Sequence, residues 1–427
     1  MTSQIDEKAI EILKANDRGG FTVPTGRLYP YQWNWDSAFV ALGIATFDRV
    51  RAWRELECLF AGQWPDGMIP HIIFRRSDPD YFPGPDVWQS NTTPPTSCHS
   101  QPPVLASIMA RLVESGGEDD ENQALLHFEQ VLAWHRWFHA ARDPDNRGVI
   151  GIMHPWESGR DNCPDWDEAM GNIVVDPDLP AYQRRDLDHV AAEQRPNQID
   201  YDRFLTIVKF GVDCGWDQKT IARDGPFFVA DPGTMFILQR ADRDLLKLAQ
   251  RFGKADAAAE IQGWIELGEA GAQTLWNEEA GGFCARNLRT GKLSTGISNA
   301  SMLAFHAGVG TPEQTARLAR EVERILSRVK FGMPSWDPDH SGFEPKRYWR
   351  GPVWAMMNFL IADGLGEAGY GELSGRVRRD TAALIEQSGF FEYFDPLTGR
   401  GYGGGDFSWT AAIWLAWASP DGVAQAA

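Results

Sequence analysis

Apolar residues recur at helical spacing along almost the whole chain, and this periodicity constrains the fold more than any other feature. It predicts helices over 4–16, 34–46, 49–61, 101–115, 121–141, 199–215, 231–253, 255–277, 297–307, 311–329, 349–366, 369–388 and 406–417. Thr311-Pro312-Glu313-Gln314 reads as a helix start, with Thr311 as N-cap, Pro312 at the first position and Gln314 at the third. Gly215 and Gly389 close other segments. Strand-like runs are short, as in Val149–Met153. About a dozen helices with connections of alternating length imply hairpins arranged in a ring, short turns at one end and long functional loops at the other. Periodicity alone leaves an open helical array as the alternative. No linker or break in composition interrupts the 427 residues, so a single domain over 1–427 is expected.

Charge and cysteine usage exclude several classes of function. A net charge of −18 argues against nucleic acid, which needs a basic face. The N-terminal stretch lacks the basic and apolar regions of a signal peptide, and no apolar run is long enough to span a bilayer. Five scattered cysteines form no disulfide framework and fit a reducing, cytoplasmic setting. A homo-oligomer is compatible with the composition. The chemistry calls for no cofactor.

One stretch carries an unusual density of chemistry: His154-Pro-Trp-Glu-Ser-Gly-Arg-Asp-Asn-Cys-Pro-Asp-Trp-Asp167. It sets Glu157, Asp161, Asp165 and Asp167 among tryptophans, with Gly159 and Pro164 breaking regular structure. Sugars suit such a loop, because their C–H faces stack on aromatic rings while carboxylates take their hydroxyls. A carboxylic acid is half of the apparatus that cleaves a glycosidic bond. Cys163 inside the loop reads as a packed small residue, since no histidine pattern supports a nucleophile.

Further aromatic and acidic motifs fall between helices or at their starts. In Tyr29-Pro-Tyr-Gln-Trp-Asn-Trp-Asp-Ser37, Trp35 and Asp36 pair a stacking ring with a carboxylate, although Asp36 or Ser37 would also serve as a helix cap. Gly62–His71 contains the turn Pro65-Asp66-Gly67. Tyr81 and Gln101 stand where they would line a cleft or cap a helix, and Arg203 is either an ion pair or an anion clamp. Lys346–Trp354 and Phe390–Gly399 complete the set, and Glu392 sits among aromatics that would orient it. His135 and His139 have the spacing of a helical zinc pair, but position 136 is Arg, so no metal site is expected. Gly403-Gly404-Gly405 lacks the ending of a phosphate loop.

In these residues the chain resembles glycoside hydrolase family 63, particularly its small bacterial members acting on mannosylglycerate and glucosylglycerate. The matching pieces are Gln32–Asp36, Gly62–Gly67, Glu157–Asp167, Tyr348–Trp354 and Phe391–Pro396, in family order. The resemblance implies an all-α (α/α)6 barrel with long loops on one rim, and an inverting α-glycosidase. By that resemblance Asp161 is the general acid and Glu392 the general base. Trp35, Asp36, Gln101, Arg203, Tyr348, Trp349 and Trp354 are carried over as pocket residues, and Tyr29 and Tyr81 stand beside them as substrate-binding candidates. Cys163 stands where the family has serine, and the segment around 175–195, with Arg184 and Arg185, has no counterpart that aligns.

The implied mechanism needs Asp161 protonated near neutral pH, through burial by Trp156 and Trp166 and through neighbouring acids. It also needs room for a water, so the two carboxyl groups are expected roughly 6.5–9.5 Å apart. The partner is a small carbohydrate. If it carries glycerate, Arg203, Arg347 and Arg350 are the candidates to bind the carboxylate, and neutral glucose disaccharides stay open. Two other classes remain: a sugar epimerase, which would need a histidine pair, and a binding protein, which need not keep both Asp161 and Glu392.

Overall fold

The computed structural model describes residues 3–26 and 28–420. Its helices are α1 (Gln4–Ala15), α2 (Asn34–Ile44), α3 (Arg49–Phe60), α4 (Pro85–Trp88), α5 (Leu105–Ser115), α6 (Glu118–Ala141), α7 (Asp167–Gly171) and α8 (Gln198–Asp213). They continue as α9 (Gln218–Asp224), α10 (Pro232–Arg251), α11 (Ala255–Ala272), α12 (Asn299–Ala307), α13 (Pro312–Arg328), α14 (Ala355–Glu367), α15 (Gly371–Ser388) and α16 (Ser408–Ile413). The helix start at Thr311 forms as the residues predict: Thr311 accepts from the Gln314 amide at 3.2 Å and the Gln314 side chain accepts from the Thr311 amide at 2.9 Å.

Six helices close into an inner ring. α2 packs on α5, α5 on α10, α10 on α12, α12 on α14, α14 on α16, and α16 returns to α2. Each carries a partner on its outer side: α3 on α2, α6 on α5, α11 on α10, α13 on α12, α15 on α14, and α1 on α16. This is the (α/α)6 barrel. The sequence explains the layers. Every residue of α12 and nearly every residue of α2 and α14 is buried, as a helix covered on all sides requires. The outer α13 buries only the stripe Leu318, Ala319, Val322, Ile325 and Leu326 and turns charge to solvent.

Loop length separates the two rims. The turns within hairpins are short: 45–48, 116–117, 252–254, 308–311 and 368–370. The connections between hairpins are long: 16–33, 61–104, 142–231, 273–298, 329–354 and 389–407. Short antiparallel ladders pin the long ones. Gln32–Trp33 pairs with Ile72–Ile73, Gly151–Ile152 with Val229–Ala230, and Tyr393–Phe394 with Gly401–Tyr402. Three short helices, α4, α7 and α9, lie in these connections, where the periodicity predicts none. Among the described residues no helix is long and apolar enough to cross a membrane.

Candidate active site

A cleft opens on the long-loop rim. Tyr29, Trp33, Trp35, Asp36, Tyr81, Gln101, Asp161, Arg195, Tyr348 and Glu392 are among the residues that line it. Every one of them comes from a long connection or from the first turn of inner helix α2. Of the pocket residues anticipated from the sequence, Tyr29, Trp35, Asp36, Tyr81, Gln101 and Tyr348 meet in this cleft together with Asp161 and Glu392.

Asp36 reaches the cleft because α2 starts earlier than a cap at Asp36 or Ser37 would allow. The N-cap position is Trp33, so Asp36 falls in the first turn. Ser37 instead donates to the buried Glu55 at 2.6 Å. Gln32 donates to the Ser37 hydroxyl at 3.1 Å, which ties the strand before α2 to the same carboxylate. Gln101 accepts the Trp35 amide at 3.3 Å and fixes the other side of this turn. Burial holds Asp36 well above the ordinary carboxylate range, and the charges of Glu392 and Glu55 add to it.

Within the acidic loop, pairing isolates one carboxylate. Glu157 takes the Arg142 guanidinium at 2.9 Å and the Met153 amide at 2.8 Å. Asp165 is paired with Arg160 at 3.0 Å, and Asp167 takes a two-pronged contact from Arg350 at 2.8 Å. Asp161 alone of the four lines the cleft. Gly159 makes this course feasible: its φ is +65°, and a Cβ there would lie 2.4 Å from the Trp35 ring. Asp161 is half-buried. Burial pushes its carboxyl up to about 7, Glu392 and Asp186 push the same way, and Arg195 opposes them. Cys163 is fully buried beside Arg160 and Asp165, and burial keeps it a thiol.

Glu392 faces the cleft from the Tyr393–Tyr402 hairpin and is fully buried. Tyr29 donates to its Oε1 at 2.9 Å, the Gly404 amide donates to Oε2 at 3.0 Å, and Arg195 lies 3.8 Å from Oε1. Burial raises its pKa, while Arg195, the Gly404 amide and Tyr29 all favour the ionised form. The triple-glycine segment is therefore a seat for Glu392. Gly403 has φ +72°, and a Cβ there would fall 2.2 Å from Oε2. Gly403→Ala is expected to fold and to lose about 100-fold in kcat, the scale of a misplacement near 1 Å. Circular dichroism and steady-state kinetics check this, and wild-type kcat would remove Gly403 from the role.

Three anticipated pocket residues lie elsewhere. Trp349 and Trp354 are fully buried and stacked on each other, ring centroids 3.8 Å apart at 4°. They buttress the cleft wall from behind, Trp349 lying 6.2 Å from the Trp35 ring and Trp354 donating to the Tyr348 carbonyl at 3.3 Å. Arg203 donates to the Ile173 carbonyl at 3.3 Å and is not part of the lining. The other arginine candidates are also committed: Arg347 to Glu344 and the Arg195 carbonyl, Arg350 to Asp167 and Glu344. His135 and His139 converge on Asp242 at 2.7 and 3.0 Å.

Sequence reasoning missed Arg195, Arg185, Asp186, Tyr201 and Trp409, all in the lining. Arg195 donates to the Tyr29 hydroxyl at 2.9 Å and pairs with Asp186 at 3.2 Å, and its guanidinium lies 4.2 Å from the Tyr348 ring centroid. The available signal was an arginine-rich stretch, Arg184, Arg185 and Arg195, in an acidic chain.

An (α/α)6 barrel with a pair of carboxyl groups in an aromatic cleft on its long-loop rim is the architecture of a glycoside hydrolase, and this protein is one. It belongs to the family described as the mannosylglycerate hydrolase MGH1-like glycoside hydrolase domain, which matches residues 29–410. The chain is 45% identical to mannosylglycerate hydrolase MGH2 of Selaginella moellendorffii over 98% of its own length and 86% of that protein's. It is 32% identical to the glucosylglycerate hydrolase of Mycolicibacterium hassiacum, covering 97% and 98% of the two chains. The crystal structure of the family 63 mannosylglycerate hydrolase from Thermus thermophilus with Tris and D-glycerate superposes with a TM-score of 0.93. The two are 45% identical over 97% of this chain and 100% of that one.

Proposed function

We propose that the protein hydrolyses an α-glycoside of glycerate, mannosylglycerate or glucosylglycerate, with inversion, and that the whole chain acts as one catalytic domain. The observation that carries this is the pairing of two differently tuned carboxyl groups. Burial pushes the Asp161 carboxyl up to about 7, and among the described residues no other side chain hydrogen-bonds it, while Glu392 is held by donors that favour its charge. Asp161 is the general acid that protonates the glycosidic oxygen. Glu392 is the general base that takes a proton from water attacking the anomeric carbon from the opposite face. Trp35, Tyr81 and Gln101 hold the sugar, with Asp36 hydrogen-bonded to its hydroxyls. Arg195 and Arg185 are the arginines of the lining, and they suit an aglycone carboxylate. A cytoplasmic setting belongs to the same proposal and is supported by five free cysteines.

Proton NMR within minutes of mixing tests this on α-mannosylglycerate, α-glucosylglycerate and α-linked glucose disaccharides. The β-anomer is expected to appear first, from a glycerate glycoside. The α-anomer first would overturn inversion, and cleavage confined to the disaccharides would overturn the glycerate assignment.

A further inference from the structure

Residues 184–196 form a strap that lines one side of the cleft, and two adjacent residues, Gln194 and Arg195, tie its end to the Glu392 hairpin and the neighbouring loops. The Gln194 side-chain carbonyl accepts the Gly403 amide at 3.2 Å, and its main-chain carbonyl accepts the Tyr393 hydroxyl at 2.9 Å. Both donors belong to the hairpin that bears Glu392: Tyr393 follows it in the chain, and Gly403 lies against its carboxylate. The next residue, Arg195, puts its Nη1 2.9 Å from the Tyr29 hydroxyl and 3.8 Å from Glu392. On its other side the strap is bound to itself, with Arg184 and Arg195 sharing Asp186 and Arg184 donating to the Pro196 carbonyl at 2.8 Å. Arg347 donates to the Arg195 carbonyl at 3.0 Å, a second tie one residue beyond Gln194.

We propose that Gln194 is a positioning residue: it clips the strap to the Glu392 hairpin and so sets the distance between the Arg195 guanidinium and the base. The inference rests on Glu392 acting as the general base. Gln194 itself is half-buried and does not line the cleft. It acts on the reaction through charge placement, because a cation a few ångströms from a buried carboxylate is worth far more than one displaced toward water. The groups facing Glu392 are Arg195 from the strap, Tyr29 from the segment before α2, Asp36 from α2, Tyr348 from the 329–354 loop, Asp161 from the acidic loop and Tyr393 from its own hairpin. Among these described residues Arg195 alone is a cation. The sign follows: with Arg195 farther away, Glu392 keeps its proton to higher pH, and activity is lost at the acid end.

The test uses Gln194→Met, which keeps the shape and removes the side-chain acceptor. Hydrolysis of α-mannosyl fluoride and α-glucosyl fluoride is followed across pH, because these substrates carry no glycerate and need little acid assistance. Their acid limb therefore reports the base independently of the aglycone, and failure of the substrate assignment would show separately, in wild-type enzyme with mannosylglycerate. The acid limb of kcat/KM is expected to move up by about one pH unit, roughly a 10-fold loss at pH values below it. In an Arg195→Met background the same change is expected to add no further shift, since the cation it positions is gone. An unmoved limb in Gln194→Met would overturn the proposal. So would an equal shift with and without Arg195, which is what a merely structural role gives.

Discussion

Glu392→Gln is expected to leave a folded protein whose turnover falls by about 10²–10⁴-fold, the range lost with a general base. Folding should survive because glutamine fills the same volume and keeps one oxygen for either Tyr29 or the Gly404 amide. The other contact is lost, at about 1 kcal/mol. The loss of rate comes from the missing lone pair, since an amide cannot take a proton from the attacking water. A small anionic nucleophile needs no base. Azide is therefore expected to restore turnover of an α-glycosyl fluoride and to yield the β-glycosyl azide. Circular dichroism, kcat and NMR of the azide product check this. More than about a tenth of wild-type turnover without azide would exclude Glu392 as the base.

Asp161→Asn is expected to cost a similar factor on mannosylglycerate but to be forgiven when the leaving group is good. The acid's work is to protonate a departing alkoxide, and fluoride leaves with little help. Turnover of an α-glycosyl fluoride should therefore stay within about 10-fold of wild type while the glycerate glycoside loses about 10²–10⁴-fold. The pH dependence follows from the raised carboxyl. Asp161 is protonated below about 7, so wild-type activity on the natural glycoside is expected to fall as pH rises through that value. In Asp161→Asn that alkaline limb should vanish. An equal loss on both substrates, or an alkaline limb that survives the substitution, would move the acid to another residue. Asp36, whose pKa burial also raises, is the carboxyl of the lining that would then be tested.

Several residues were legible as types but not as positions. The Trp349 and Trp354 rings stand in a motif as aromatic as the one around Trp35, yet they stack on each other and are fully buried, so neither offers a face to a sugar. Glu157, Asp161, Asp165 and Asp167 are equivalent as letters. Arg142, Arg160 and Arg350 occupy three of them, and two of these arginines come from outside the loop. Arg203 and Arg195 lie eight positions apart, and nothing in the letters separates their roles. One turns to a main-chain carbonyl at Ile173, and the other reaches across the chain to Glu392.

The sequence by itself determined where the long helices run, because helix periodicity is a local property of consecutive residues, whereas closure into a ring rests on contacts between helices far apart in the chain. It also determined which loops carry chemistry, because acids set among tryptophans answer no local structural need. Only the tertiary structure decided which acid of the loop faces the cleft, which aromatics line it and which arginine meets Glu392. Those outcomes depend on partners far away in the chain, as with Arg195 and Glu392 or Asp167 and Arg350. Burial and charge pairing, which set both ionisation and access, exist only once those partners have met.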